Sequence, residues 1–268
     1  MRFIGAGSPQ AGMSRGILRS AVILIATPDA AISAASEELA RIGAEELRGK
    51  VVLHTSGALH AGALHAARDC GAAAASMHPL QTFTGVAVPP LEGKVFAIEG
   101  DLPAVRMARK IARALGGVPA QIDAHHKPLY HASGVLAAGH VLVVVEAAIQ
   151  LLMSLGMKRG EATRALLPMT RQVLENHERL GPRRSWTGPL SRRDYGVVAS
   201  HVAALQNYSA EYKDAYEALN RLAQLVLSRD TEVSSSTAPS EKGLPERRLP
   251  NRESDDMKAA AKATGGKE

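Results

Sequence analysis

The apolar positions along the chain follow two different rhythms. Up to about residue 123, short β-branched runs alternate with stretches whose apolar residues recur every three or four positions. "AVILIAT" (21–27) is unbroken and apolar, which predicts a strand buried on both faces, as in a parallel sheet. "KVVLHTSG" (50–57), "AAAASMHPL" (72–80) and "KVFAIEG" (94–100) predict three more strands, and "VPAQIDA" (118–124) a short last one. Between them, residues 30–42 predict a helix with Glu37, Glu38 and Arg41 on its wet side. "HAGALHAARDCG" and "LPAVRMARKIARALGG" predict two more, the latter stopped by Gly116-Gly117. Strands alternating with helices predict a mostly parallel α/β sheet.

After Asp123 the pattern is helical throughout, over 127–157, 158–180 and 194–229, with Gly156 and "LGPRRSWTGPLSRRD" as separators. The expected organisation is a sheet domain over 1–122 and an all-helical domain over 123–229. Residues 230–268 are rich in Ser, Pro, Gly and mixed charge, too poor in apolar surface to offset ordering entropy, and are expected to be disordered. The longest apolar run, 135–157, is long enough to span a bilayer. His140, Glu146 and Gln150 interrupt it, and a carboxylate near a bilayer centre is costly. A buried helix of a soluble protein is the favoured reading and a membrane span the alternative. Because that helix has little polar face, a homodimer through the helical domain is expected.

Composition narrows the class. Hydrophobic residues make up 46% of 268 but aromatics only 3%, so the core is built of Ala, Leu, Val and Ile. The single Cys70 excludes an internal disulfide framework and a thiolate metal cluster, and fits a reducing cytoplasm. A net charge of +6 suits nucleic acid or a pocket for an anionic ligand. "GPRRSWTGPLSRRD" holds one aromatic, Trp186, and no stacking series, so no nucleic-acid partner is expected. Arg192 there is a candidate for an anionic ligand, with a merely solvated loop as the alternative. The histidines 54, 60, 65, 125, 126 and 131 lack the spacing of one helix face, and no HExxH occurs, so no metal is expected.

The opening "MRFIGAGSPQAG" carries Gly5 and Gly7 at the spacing that starts a dinucleotide fingerprint, but Gln10 stands where the third glycine belongs. Only 13 residues separate Gly7 from Ala21, too few for a helix, a second strand and a further crossover. A glycine-rich loop leading to the next strand is the favoured reading. Ligands of open parallel sheets bind outside the carboxyl ends of the strands. Those ends carry Thr27, Pro28 and Asp29, then His54, Thr55, Ser56 and Gly57, then His78, Pro79 and Gln81.

"AVILIATPDAAI", "LRGKVVLHTSGAL", "SMHPLQTF", "FAIEGD", "KPLYHASGVLAAGH" and "TGPLSRRD", in this order over about residues 21–227, resemble one family. It is that of Rossmann-like proteins with a DUF2520 helical C-terminus. Its distant relatives are pyrroline-5-carboxylate reductase and the 6-phosphogluconate and β-hydroxyacid dehydrogenases. The resemblance implies a Rossmann-like, mostly parallel sheet domain, partial at its N-terminus, before an all-helical 6-phosphogluconate-dehydrogenase-like domain. It implies that a first β-α-β unit is missing, that "FIGAG" belongs to a later connection, that a sheet edge is left to be covered, and that cofactor binding is impaired.

The implied activity is NAD- or NADP-dependent reduction of a small keto- or imino-acid, a ketopantoate-type reductase being one specific case. A non-catalytic scaffold that binds a ligand or partner is the reading of another class. Thr27, Pro28 and Asp29 would run beside the cofactor. His54, Thr55, Ser56, Gly57, Gln81 and Arg192 would hold an anionic substrate, an ordinary turn being the alternative for Ser56-Gly57. Lys127 and His131, one helical turn apart with Tyr130 beside them, would protonate or polarise the substrate, with His78 as a further candidate. The alternatives are a solvated Lys127 and a structural His78. Gly139-His140 stands where the dehydrogenases carry an Asn, a departure from their machinery.

Overall fold

The computed structural model describes residues 2–4 and 13–227. Six strands form one sheet in sequential order: β1 (Arg2–Ile4), β2 (Val22–Ile25), β3 (Val51–His54), β4 (Ala73–Pro79), β5 (Val95–Gly100) and β6 (Val118–Gln121). β1 to β4 run parallel, β5 is antiparallel to β4, and β6 is parallel to β5. The sheet is mostly parallel, as the alternating pattern predicts. Helix α1 (Ile32–Gly43) links β2 to β3, α2 (His65–Asp69) links β3 to β4, and α3 (Leu102–Ala114) links β5 to β6.

One expectation is corrected at the N-terminus. Arg2–Ile4 is not part of a connection: it pairs in parallel with β2, Phe3 opposite Leu24, and so covers the edge that β2 would otherwise expose. Gly5, Gly7 and Gln10 lie outside the described residues, as does the segment from 230 onward expected to be disordered.

The period of two along the strands builds two cores. Ile23, Ile25 and Val52 point to one, with Ile32, Leu39, Leu47 and Leu64. Leu24, Val51 and Leu53 point to the other, with Met77, Phe96, Ile98 and the Ala104, Val105, Ala108 and Ala112 stripe of α3. Both faces of the central strands are therefore apolar. β5 then turns sharply into α3 at Gly100, whose φ is +134°, and a Cβ there would lie 2.4 Å from the Ala74 carbonyl oxygen.

The chain divides into two compact units at Thr170–Arg171. Within the first, a continuous 31-residue helix runs over Ala124–Ser154. It comprises a 3-10 turn (Ala124–His126), α4 (Lys127–Val135), a π-helical turn (Leu136–His140) and α5 (Val141–Ser154). It is the one helix among the described residues long and apolar enough to cross a membrane. The expected burial of this helix is not found among the described residues. Leu136, Leu142, Val143 and Val144 are exposed, and of α5 only Ile149 is buried. The reason is geometric: an all-round apolar helix needs neighbours on every side. Glu146, in its middle, is paired with Arg159 at 2.8 Å.

Helix α6 (Arg159–Leu180) crosses the boundary between the units. The second unit adds α7 (Pro182–Ser185), α8 (Tyr195–Tyr208) and α9 (Ala210–Leu227), with α7 and α8 packed on α9 and a 2.9 Å hydrogen bond between His201 and Tyr216.

Candidate functional site

The carboxyl end of β3 is where the first unit becomes polar. His54 of β3 is level with Ser76 of β4, and Ser76 is level with Glu99 of β5, so one polar row crosses three neighbouring strands. All three side chains are buried. Lys127, the first residue of α4, is 0% exposed and lies over this row. Its Nζ donates to the Ser56 carbonyl oxygen at 3.0 Å and to Ser76 Oγ, and stands 3.8 Å from Glu99 Oε1. Burial pushes the ammonium down to about 8, against the pull of Glu99 and Asp29.

The loop after β3 is held to this row at both ends. Ser76 Oγ donates to the Ser56 carbonyl at 3.1 Å, and Glu99 Oε1 accepts the Ala61 N–H at 2.8 Å. His54 Nδ1 accepts the Ser56 N–H at 3.2 Å, so Nδ1 carries no proton. Nε2 then holds the proton and donates to the His60 carbonyl at 3.2 Å. Burial, then the charge on Lys127, pulls the His54 imidazole down to about 4, which keeps it neutral. Ser56 Oγ accepts the N–H groups of Ala58 and Leu59, closing the turn.

Above the loop sits an aromatic group. A Cβ built on Gly57 would lie 2.7 Å from His131 Cδ2 and 2.8 Å from His78 Nε2, so both imidazoles rest on the glycine backbone. His78 Nδ1 and the Tyr130 hydroxyl are 2.8 Å apart and share one proton. His78 and His131 meet edge to face, their ring centroids 6.1 Å apart. Burial, and then the nearby charge on Lys127, lowers His78 to about 4; burial alone raises the Tyr130 phenol to about 12. Both are neutral near pH 7, so the pair offers a proton without placing a fixed charge there. The π-helical turn at Leu136–His140 follows directly, a distortion frequent beside functional sites.

The solvated alternative for Lys127 is corrected by its burial, its Nζ held by the Ser56 carbonyl and Ser76 Oγ. His54 is buried in the same way, its ring nitrogens engaged by the Ser56 N–H and the His60 carbonyl. Ser56 is buried and Thr55 half-buried. Gln81 is tied to its own loop, its Oε1 accepting the Thr82 N–H at 2.9 Å. Arg192 belongs to the second unit, where its Nε donates to Asp194 at 3.1 Å. Asp29 is exposed, opening the short 3-10 turn after β2. Thr27 Oγ1, by contrast, is buried with no hydrogen-bond partner among the described residues. A buried hydroxyl without a partner at a strand's carboxyl end suits a hydroxyl- or amide-bearing ligand such as a nicotinamide cofactor.

Ser76 and Glu99 complete the site beyond the residues the sequence singled out, and Tyr130, noted there only as a neighbour of Lys127 and His131, becomes the partner of His78. Glu99 carried a usable signal, since a carboxylate inside the buried strand "VFAIEG" demands a partner. Ser76 carried none.

Family models match residues 8–79 as a Rossmann-like domain and residues 94–223 as DUF2520, a domain of unknown function. The fold is a Rossmann-like sheet domain followed by a helical part, and residues 94–223 are similar to DUF2520. The DUF2520 match takes in β5, α3 and β6 as well as the helices, so Glu99 and Lys127 come from it and His54, Ser56 and His78 from the Rossmann-like domain. No curated protein matches the chain.

Among solved structures, protein TM1727 from Thermotoga maritima is similar at 23% identity and a TM-score of 0.63, over 77% of this chain and 78% of that one. A reductive aminase from Aspergillus terreus, in complex with NADPH and ethyl-5-oxohexanoate, follows at 18% identity, 0.51, and 77% and 75%. Plasmodium falciparum pyrroline carboxylate reductase with NADP bound matches at 14% identity, 0.50, and 83% and 88%. The chain therefore shares a fold that holds nicotinamide cofactors in other proteins.

Proposed function

We propose that this chain is an NAD(P)-dependent oxidoreductase that reduces a small keto- or imino-acid. The observation that carries the reading is the neutral His78–Tyr130 pair, packed with His131 on Gly57 at the carboxyl edge of a cofactor-holding fold. Reduction of a C=O or C=N bond needs one hydride and one proton. The nicotinamide, when bound, supplies the hydride. Thr27 and the backbone of Pro28 and Asp29 would hold it at the end of β2.

The substrate's carboxylate is assigned to the Gly57 end of this loop, where a backbone N–H favours an anion without competing for its proton. The N–H groups of Ser56, Ala58 and Leu59 are taken by His54 Nδ1 and Ser56 Oγ and fix the turn instead. The reducible atom then faces His78, Tyr130 and His131. The Tyr130–His78 pair gives a proton to the developing oxyanion or nitrogen and draws a replacement through the imidazole. Keeping this donor uncharged in the resting site spares it the desolvation cost a fixed cation would carry.

The test is consumption of NADPH and NADH with panels of small 2-keto acids and cyclic imino acids, beside cofactor binding by fluorescence. Turnover with one panel, lowered about a hundredfold or more by Tyr130→Phe or His78→Ala, is the expected result. Cofactor binding without turnover on any acceptor would instead favour a ligand-binding scaffold.

A further inference from the structure

We infer that Glu99, Ser76 and Lys127 form an internal brace that positions the Ser56–Ala61 loop, so that Lys127 is a positioning residue and not the proton donor. The inference deepens the oxidoreductase reading of the same site and rests on it for the kinetic part of its test.

Three observations converge. First, the partners of Lys127 Nζ among the described residues belong to the loop or to the strand row beneath it: the Ser56 carbonyl, Ser76 Oγ and Glu99 Oε1. With the side chain 0% exposed, no face of the ammonium is left for a substrate. Second, the brace grips both ends of the loop. The Ser56 carbonyl accepts from Lys127 and from Ser76, and the Ala61 N–H is taken by Glu99. His54 adds a grip at Ser56 N and at the His60 carbonyl, from the same row. Third, the loop backbone so fixed is the surface on which His78 and His131 rest at Gly57.

The arrangement also explains why a costly buried pair is kept. A lone buried ammonium or carboxylate is strongly unfavourable, and a hydrophobic pair of similar volume would do as well for stability alone. What a hydrophobic pair cannot do is hold one carbonyl and one N–H of a loop in fixed positions. The brace also joins the two matched domains, because Glu99 and Lys127 come from the DUF2520 part and the loop from the Rossmann-like part.

The test uses the full chain and the variants Lys127→Met, Ser76→Ala and Glu99→Gln, with two readouts. Amide hydrogen exchange of peptides covering 55–61 needs no activity. It should accelerate about tenfold or more in Lys127→Met and in Ser76→Ala, while peptides of β2 and α3 stay as in the wild type. With an acceptor found in the panels above, both variants should raise KM about tenfold or more and leave kcat nearly intact. Glu99→Gln keeps an acceptor for Ala61 N–H but removes the countercharge, so its loop should loosen less than that of Lys127→Met.

Unchanged loop exchange in the folded Ser76→Ala and Glu99→Gln variants would overturn the brace, even where Lys127→Met fails to fold. So would a Lys127→Met enzyme that loses kcat about a hundredfold with KM and exchange unchanged, since that is the signature of a proton donor. A wild type inactive on every acceptor would sink the oxidoreductase reading and leave the exchange result to decide the brace.

Discussion

Gly57→Ala places one methyl group between the loop and the two imidazoles, and its effect follows from three distances. The new Cβ would sit 2.7 Å from His131 Cδ2, 2.8 Å from His78 Nε2 and 2.9 Å from His78 Cε1. Ordinary contact begins at 3.4 Å, so the rings must retreat by about 0.7 Å. For His78 the shortfall is about 0.6 Å, and a shift of that size disturbs the geometry of its 2.8 Å hydrogen bond to Tyr130. The φ of Gly57 lies outside the left-handed region, so no backbone strain is added and the perturbation is steric alone.

Overpacking of this kind costs about 1–3 kcal/mol, which at about 2–4 °C per kcal/mol lowers Tm by several degrees. A misplacement approaching 1 Å at reacting groups costs about a hundredfold in rate. Thermal melts, NADPH binding and NADPH consumption with the best acceptor measure the three effects. The expected outcome is a modest Tm loss, intact cofactor affinity and a kcat/KM about a hundredfold lower. A Gly57→Ala protein with wild-type turnover would refute the packing of His78 and His131 on the loop as a catalytic requirement.

Four further outcomes are expected. His54 and His78 bind their protons at about pH 4 when folded against an ordinary 6.5, so the unfolded chain takes up more protons between these values. Stability present above pH 6.5 is therefore lost as pH falls toward 4, and Tm measured across that range should drop less steeply in His54→Asn. Lys127, lowered to about 8 from 10.5, acts at the other end: stability should rise between these values as the buried ammonium is neutralised, a rise absent in Lys127→Met. Thr27→Val should leave Tm unchanged or higher, since Oγ1 has no partner, yet weaken NADPH binding about five- to tenfold; equal affinity would remove Thr27 from the cofactor site. Finally, the exposed apolar face of α4–α5 calls for a second copy of the chain, since Glu146 paired to Arg159 and His140 make a hydrocarbon surrounding expensive; light scattering should give twice the 28.2 kDa chain mass, and a monodisperse monomer would refute it.

What the sequence determined by itself is the local and periodic part. Unbroken runs such as "AVILIAT" and "KVVLH" could only be strands covered on both faces, and the three- to four-residue spacing in "LPAVRMARKIARA" could only be a one-sided helix. Those signals come from each residue's own burial preference and need no partner to be read. The chemistry-bearing loop ends were visible for the same reason, because His54–Gly57 and His78 follow directly on their strands.

Tertiary structure alone decided what each polar group does. Lys127 reads as a solvated helix start or a catalytic ammonium until the register sets Ser76 level with both His54 and Glu99, and the helix start over that row. Whether an ammonium is a proton donor or a brace depends on which acceptors surround it. Those acceptors, Ser56 and Ser76, lie 71 and 51 residues away in the chain. The edge strand Arg2–Ile4 shows a related limit: Phe3-Ile4 reads in the sequence as no more than a scrap of apolar strand, and only pairing with β2 gives it a place in the sheet. The helix over 124–154 marks the opposite limit: its sequence demands burial on every side, yet Leu136, Leu142, Val143 and Val144 stay exposed.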